Sequence, residues 1–163
     1  MVLSLNHNNE LAPELQVVQW FNTDEEVKLR NCRNKVIVLH AFQMLCPGCV
    51  LHGLPQTQRI FDFFSNSDVM VIGLHTVFEH HQAMTPVSLE SFLYGFKYTF
   101  PVGVDIPDAS GRNIPLTMKS YGCQGTPSLI LIDKKGYIRR HYFGPVDDMR
   151  IGSEIAFLLA EKE

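Results

Sequence analysis

The stretch VIVLHAFQMLCPGCVLHGLP, residues 36–55, decides the fold of this chain. Its first seven residues, 36–42, are almost continuously apolar and β-branched, which predicts a strand buried on both faces of a sheet. After the cysteines, apolar side chains recur at three- and four-residue steps, which predicts an amphipathic helix. The side of that helix expected to face the core consists of Val50, Leu54, Thr57, Phe61 and Phe64. Pro55 lies inside the helix and is expected to kink it.

Outward from this stretch, strands and helices alternate until the chain ends in a hairpin and a helix. The other expected strands are 15–21, 69–74, 100–104, 128–133 and 137–143, and the other expected helices are 86–96, 116–121 and 148–159. Asp147 can cap the last helix, and Lys134-Lys135-Gly136 forms the hairpin turn. From residue 36 onward, the order β-α-β-α-β-α-β-β-α indicates an α/β sandwich with a mixed central sheet. Chemistry is expected at the carboxyl ends of its strands, where residues 43–49 lie.

Composition and charge exclude several classes of function. The 163 residues, 45% hydrophobic and 19% charged, fit one domain that needs neither a disulfide nor a metal to hold its core. A net charge of −3 with scattered basic residues indicates no nucleic-acid partner. No apolar run approaches the roughly 18 residues of a membrane span. No cofactor is indicated.

The first residues carry no recognisable targeting segment. Residues 1–11 are expected to form a polar N-terminal extension, and residues 12–163 the domain. The extension lacks the basic start, apolar run and small-residue cleavage site of a secretory signal. The expected compartment is therefore the cytoplasm, or the periplasm if the sequence is a trimmed form.

The motif CPGC at 46–49 carries the chemistry. Two intervening residues let both sulfurs close a small disulfide ring, and the positive end of the helix dipole favours thiolate over thiol. A structural zinc site would need a second cysteine pair or a histidine pair at ligand spacing. Cys32 and Cys123 stand alone, and His80 and His81 are adjacent. The spacing therefore favours redox chemistry over zinc binding or an inert pair.

The chain resembles the thioredoxin superfamily, in particular its TlpA/ResA-like and redoxin branch, over about residues 12–159. The matching segments are APEL at 12–15, VIVLHAF at 36–42, CPGC at 46–49, VIGLHT at 71–76, FPVGVD at 100–105, YG at 121–122, GTPS at 125–128 and LILIDKKGYI at 129–138. The resemblance implies a thioredoxin-like three-layer α/β/α sandwich with a mixed central sheet. It also implies a thiol–disulfide oxidoreductase in which Cys46 attacks and Cys49 resolves. Its expected partners are a disulfide-bearing protein or small molecule and a thiol electron donor.

Three further site residues follow from the resemblance. It implies a cis peptide bond between Thr126 and Pro127 beside the CPGC loop, with the Thr126 backbone left to pair with an incoming cysteine-containing strand. His40 stands six residues before Cys46, where many thioredoxins have a buried aspartate. His40 is a candidate acid/base because imidazole titrates near neutral pH; the alternative is a hydrogen-bonded core histidine. Leu45 replaces the usual tryptophan, and Pro-Gly replaces Gly-Pro, so the redox potential is not transferable.

Two other functions stay open. The segment PGCVLHGLP at 47–55 resembles a motif of atypical peroxiredoxins. By that resemblance, Cys49 would reduce peroxide and Cys46 would resolve. That motif has a proline seven positions and a threonine three positions before the peroxidatic cysteine, where this chain has Phe42 and Cys46. The third possibility is a thioredoxin-like binding domain with unreactive cysteines.

The remaining cysteines and histidines have ordinary interpretations as well as chemical ones. Cys123, four residues before Pro127, is either an extra thiol near the site or a small core residue. Cys32 is expected to be an incidental residue of a charged loop. A solvated loop is expected in preference to a metal site for the group His75, Glu79, His80 and His81.

Overall fold

The structure, a computed structural model, describes residues 10–110 and 114–162. The strands in this part of the chain are β1 (Val17–Phe21), β2 (Val36–Phe42), β3 (Val69–His75), β4 (Val102–Asp105), β5 (Ser128–Ile132) and β6 (Ile138–Phe143). The α-helices are α1 (Leu54–Phe63), α2 (Pro86–Phe96), α3 (Leu116–Ser120) and α4 (Asp148–Ala160). A 3₁₀ turn, Leu29–Cys32, precedes β2, and a π turn, Cys49–Gly53, precedes α1.

The strands form one mixed sheet in the order β1-β4-β3-β2-β5-β6. β2, β3 and β4 run parallel, while β1, β5 and β6 pair antiparallel to their neighbours. β2 lies between β3 and β5, and all seven of its residues are buried, as its apolar run predicts. β1, which carries Trp20, forms the sheet edge beyond β4. The predicted α/β class and mixed sheet are confirmed.

Side chains of β2 alternate between two cores, one on each face of the sheet. In the first core, Val36, Val38 and Phe42 pack with apolar residues of α1, α2 and α4. In the second core, on the other face, Ile37 and Leu39 pack with residues of the 3₁₀ turn and with the residue after α3. The helices therefore cover both faces. Among the described residues, no helix is both long and apolar enough to cross a membrane.

The break expected at Pro55 takes the form of a π turn. The Leu54 N–H bonds to the carbonyl of Cys49, five residues back, and Pro55 then falls in the first turn of α1, where its missing N–H leaves no gap. The wider turn shifts the inner face of the helix. Ile60 is buried there, while Val50, assigned to the inner face by simple periodicity, is only half-buried.

The hairpin and the last helix follow the sequence prediction. β5 and β6 pair antiparallel, and the Asp147 side chain accepts the N–H groups of Met149 and Arg150 at the start of α4. At the other terminus, the Ile138 N–H donates to the Glu10 carbonyl. The extension predicted over residues 1–11 falls mostly on residues 1–9, which lie outside the described residues.

Candidate active site

The two cysteines of the CPGC motif differ in exposure. Cys46 is half-buried at the start of the helical segment, while Cys49 is fully buried in the first core. Both are thiols in the structure. The Cys49 backbone N–H donates to Cys46 Sγ at 3.3 Å. A helix-terminal N–H aimed at a sulfur stabilises negative charge on it, so the geometry suits Cys46 as the attacking sulfur.

The segment before β5 completes the site from the other side. Cys46 Sγ lies 3.4 Å from the Thr126 carbonyl oxygen, to which the thiol donates. The Thr126–Pro127 peptide bond is cis. A Cβ atom on Gly48 would lie 3.2 Å from Pro127 Cδ, so the absence of a side chain at 48 lets the motif pack on the proline ring. The cysteine loop and the start of β5 thus meet at one end of the sheet.

Cys49 has the properties of a resolving thiol. Burial, and then its hydrogen bond with Cys46, raise the pKa of Cys49 to about 12. At neutral pH Cys49 is therefore protonated and a poor nucleophile. Its attack on a neighbouring sulfur needs a group that takes the proton.

His40 is buried beneath the π turn in one fixed tautomer. Its Nδ1 lies 2.9 Å from the Thr57 hydroxyl oxygen, and that hydroxyl donates to the Gly53 carbonyl at 2.8 Å. Since the hydroxyl proton is used, Nδ1 must be the donor, and Nε2 carries the lone pair. Burial lowers the pKa of His40 to about 4, so the ring is neutral.

The lone pair of His40 has no hydrogen-bond partner among the described residues. A Cβ atom on Gly53 would lie 2.6 Å from His40 Nε2 and 3.3 Å from Pro127 Cβ. The ring therefore fits against a glycine one helical turn after Cys49, beside the proline of the site. A buried polar atom without a partner is rare in folded proteins and calls for an explanation.

The five residues predicted for the site occupy one region of the molecule: Cys46, Cys49, Thr126, Pro127 and His40 are linked by the contacts above. Cys123 takes part in none of those contacts. Its Sγ lies 3.7 Å from His141 Nε2, it packs against the second core, and burial raises its pKa to about 11. These surroundings suit the core role and not a reactive thiol.

The loop positions expected for Cys32 and His75 were wrong, whereas Glu79, His80 and His81 are exposed as expected. Cys32 lies in the 3₁₀ turn and is buried in the second core, with its thiol bonded to the Lys28 carbonyl. His75 is the last residue of β3, is 1% exposed, and accepts the Met44 N–H at Nε2, 3.3 Å away. Within residues 10–110 and 114–162, no three or more His, Cys, Asp or Glu side chains come together as a metal site.

Three contributors to the site were missed by sequence reasoning. Thr57 fixes the tautomer of His40, Gly53 makes room for its ring, and Gln43 bonds to the segment after β3. Gln43 carried a signal, because a polar residue between a buried strand and CPGC needs hydrogen-bond partners. Thr57 was assigned to the inner helix face as a packing residue only.

Residues 7–153 match the family model named Redoxin. The chain belongs to the redoxin family. This redoxin is also similar to solved structures along nearly its whole length, as the resemblance to the thioredoxin superfamily predicted. No curated protein gives a significant match.

Two of those structures share half of the redoxin's sequence. The thioredoxin-like superfamily protein SPOA0173 is 54% identical over 94% of this chain and 98% of its own, with a TM-score of 0.90. A thiol-disulfide isomerase from Corynebacterium glutamicum is 50% identical over 95% and 99% of the two chains, with a TM-score of 0.89. StoA from Bacillus subtilis, at 24% identity, a TM-score of 0.63 and coverage of 83% and 95%, shares the fold.

Proposed function

We propose that this redoxin is a thiol–disulfide oxidoreductase that uses Cys46 and Cys49. The observation that carries the proposal is the pairing of a half-buried Cys46, whose sulfur accepts the Cys49 N–H at 3.3 Å, with a fully buried Cys49. The similarity to the Corynebacterium thiol-disulfide isomerase supports the same reaction class.

The reaction proceeds through two exchanges. The Cys46 thiolate attacks one sulfur of a substrate disulfide, so that a Cys46–substrate disulfide forms and the other substrate sulfur leaves as a thiolate. Cys49 loses its proton and attacks the Cys46 sulfur, which releases the second substrate thiolate and forms the Cys46–Cys49 disulfide. The substrate gains two electrons, and a thiol donor returns two electrons to the protein. The substrate is a disulfide-bearing protein or small molecule.

His40 is proposed to accept the Cys49 proton in the second exchange. Its neutral ring, fixed tautomer and unpartnered Nε2 supply a buried proton acceptor packed against Gly53, the residue one helical turn after Cys49. Because a ring with a pKa of about 4 is a weak base, the proton of a thiol with a pKa of about 12 passes to it only as the Cys49–Cys46 bond forms, when the attacking sulfur becomes far more acidic.

Replacing His40 by asparagine tests this role. The shorter amide keeps a donor near Thr57 but lacks a base at the Nε2 position. Resolution of a preformed Cys46 mixed disulfide should slow by roughly a hundredfold, the lower end of the usual acid–base contribution. The first attack should keep its rate. Stopped-flow release of a chromogenic thiol separates the two steps; equal slowing of both would assign His40 a packing role only.

The peroxidase alternative places the first attack on Cys49. Its complete burial and its raised pKa argue against that role, because a peroxidatic sulfur must be an accessible thiolate. Threonine is also missing from the position that Cys46 occupies in that motif. Peroxide reduction therefore serves as a competing outcome in the test below.

Insulin disulfide reduction, driven by an added dithiol, tests the proposed function. The Cys46→Ser variant should fall to the uncatalysed background, because serine supplies no sulfur nucleophile at that position. Cys123→Ser is the matched control and should keep full activity, since that thiol takes part in none of the contacts that link the five site residues. Full activity in Cys46→Ser would eliminate the mechanism. Peroxide consumption that depends on Cys49 and survives Cys46→Ser would favour the peroxidase instead.

A further inference from the structure

The turn that carries Cys46 is fixed by side chains of another part of the chain. Residues 43–46 form a tight turn closed by the Cys46 N–H on the Gln43 carbonyl, at 3.1 Å. Inside it, the Met44 N–H points into the protein and donates to His75 Nε2 at 3.3 Å. Met44 is 6% exposed and His75 1%. Water therefore has little access to this bond, and the imidazole is the acceptor that the buried N–H depends on.

The placement of His75 follows from the sheet. β2 and β3 pair in parallel with Phe42 opposite His75, and the Phe42 carbonyl accepts the N–H of Thr76 at 3.0 Å. The Phe42 and His75 rings are in contact, with centroids 5.2 Å apart. Strand register and ring packing thus hold the imidazole independently of its bond to the turn. His75 therefore offers the Met44 N–H an acceptor at a fixed position.

A second contact ties the same turn to the segment after β3. The Gln43 side chain, 1% exposed, accepts the Phe78 N–H at Oε1, 3.1 Å away, and donates from Nε2 to a Glu79 carboxylate oxygen, 3.3 Å away. The turn before Cys46 is therefore held through both its backbone and its first side chain. The bonds from Met44 to His75 and from Gln43 to Phe78 and Glu79 all join residues more than 30 positions apart in the chain.

We infer that His75 is a positioning residue: it acts through the Met44 backbone to place the Cys46 sulfur. This inference rests on the proposed function. Cys46 follows Met44 by two residues, and its sulfur must meet both the Cys49 N–H and the Thr126 carbonyl region. Without an acceptor at position 75, the turn has to rearrange until the Met44 N–H finds another partner. That rearrangement moves the sulfur away from the N–H that stabilises its charge.

Two polar substitutions of different length test the inference. Glutamine at position 75 can place its Oε1 close to the position of Nε2 and accept the Met44 N–H, whereas asparagine is too short to reach it. In His75→Asn, the alkylation rate of Cys46 by iodoacetamide and the kcat/KM for insulin should both fall by on the order of tenfold or more. His75→Gln should stay within about threefold of the original chain. His81→Asn, at an exposed histidine, is the control.

The outcomes separate the inference from the proposed function. If the original chain does not reduce insulin, the proposed function fails, while the alkylation rates still test the position of the sulfur. Equal rates in the folded His75→Asn and the original chain would overturn the inference. So would equal loss in His75→Asn and His75→Gln, because that result assigns His75 to packing alone. If neither variant folds, ¹⁵N NMR of the unmutated chain decides: a protonated Nε2 at neutral pH is incompatible with its role as acceptor.

Discussion

As the pH falls from about 6.5 to about 4, the folded state should lose about 3 kcal/mol of stability for each of His40 and His75. Burial lowers the pKa of both side chains from 6.5 to about 4. The unfolded chain takes up a proton on each histidine near pH 6.5, and the folded chain resists until about pH 4. In that window the unfolded state binds more protons, so stability rises with pH and is lost on acidification.

The measurement is the free energy of unfolding by urea at a series of pH values. The slope of stability against pH matters, because each substitution also changes stability by an amount that is the same at every pH. His75→Gln and His40→Asn should each reduce the slope between about pH 4.5 and pH 6 by a similar amount; the rest comes from other groups such as His141, whose pKa burial also lowers. Exposed His81 serves again as the control. A slope that neither substitution changes would show that both histidines are already protonated in the folded protein.

Substitution of Cys49 by serine should trap the reaction after its first exchange. Attack by a well-placed group in the same molecule corresponds to a very high effective concentration, so only slow external thiols can replace Cys49. The lifetime of the Cys46–substrate disulfide should therefore rise by on the order of a thousandfold or more. Non-reducing mass spectrometry after mixing with a disulfide-containing peptide measures the adduct and locates it.

The position of the trapped peptide identifies the attacking sulfur. We expect the adduct on Cys46, and the Cys46→Ser/Cys49→Ser double variant should give none. The same experiment in a Cys123→Ser background excludes capture by that thiol. A peptide found on Cys123, or an adduct that resolves as fast as in the original chain, would contradict the proposed order of attack.

The fold was predictable because its elements have strong local patterns. The nearly continuous apolar run of β2 predicted its bounds, 36–42, and the turn at 134–136 predicted the hairpin of β5 and β6. The end of β3 was placed one residue early, since a histidine next to a threonine reads as the beginning of a loop. In the sheet that histidine pairs with Phe42 and is buried.

The site was predictable only as far as its motifs. CPGC and Thr126-Pro127 are local strings, and position relative to Cys46 singled out His40. The features that give His40 its tautomer depend on the π turn, which places Gly53 and Thr57 around the ring. The contact between Met44 and His75 joins residues 31 positions apart. Local periodicity carries no information about such pairs.

The location of the chain's one tryptophan decides how this protein can be observed in solution. Trp20 lies in β1, and the sheet order puts β4 and β3 between it and the strand that leads to the cysteines. Its intrinsic fluorescence is thus an indicator of the melting of that sheet edge and a poor optical reporter of thiol chemistry. Leu45, 57% exposed and adjacent to Cys46, is the natural place to install an indole for that purpose.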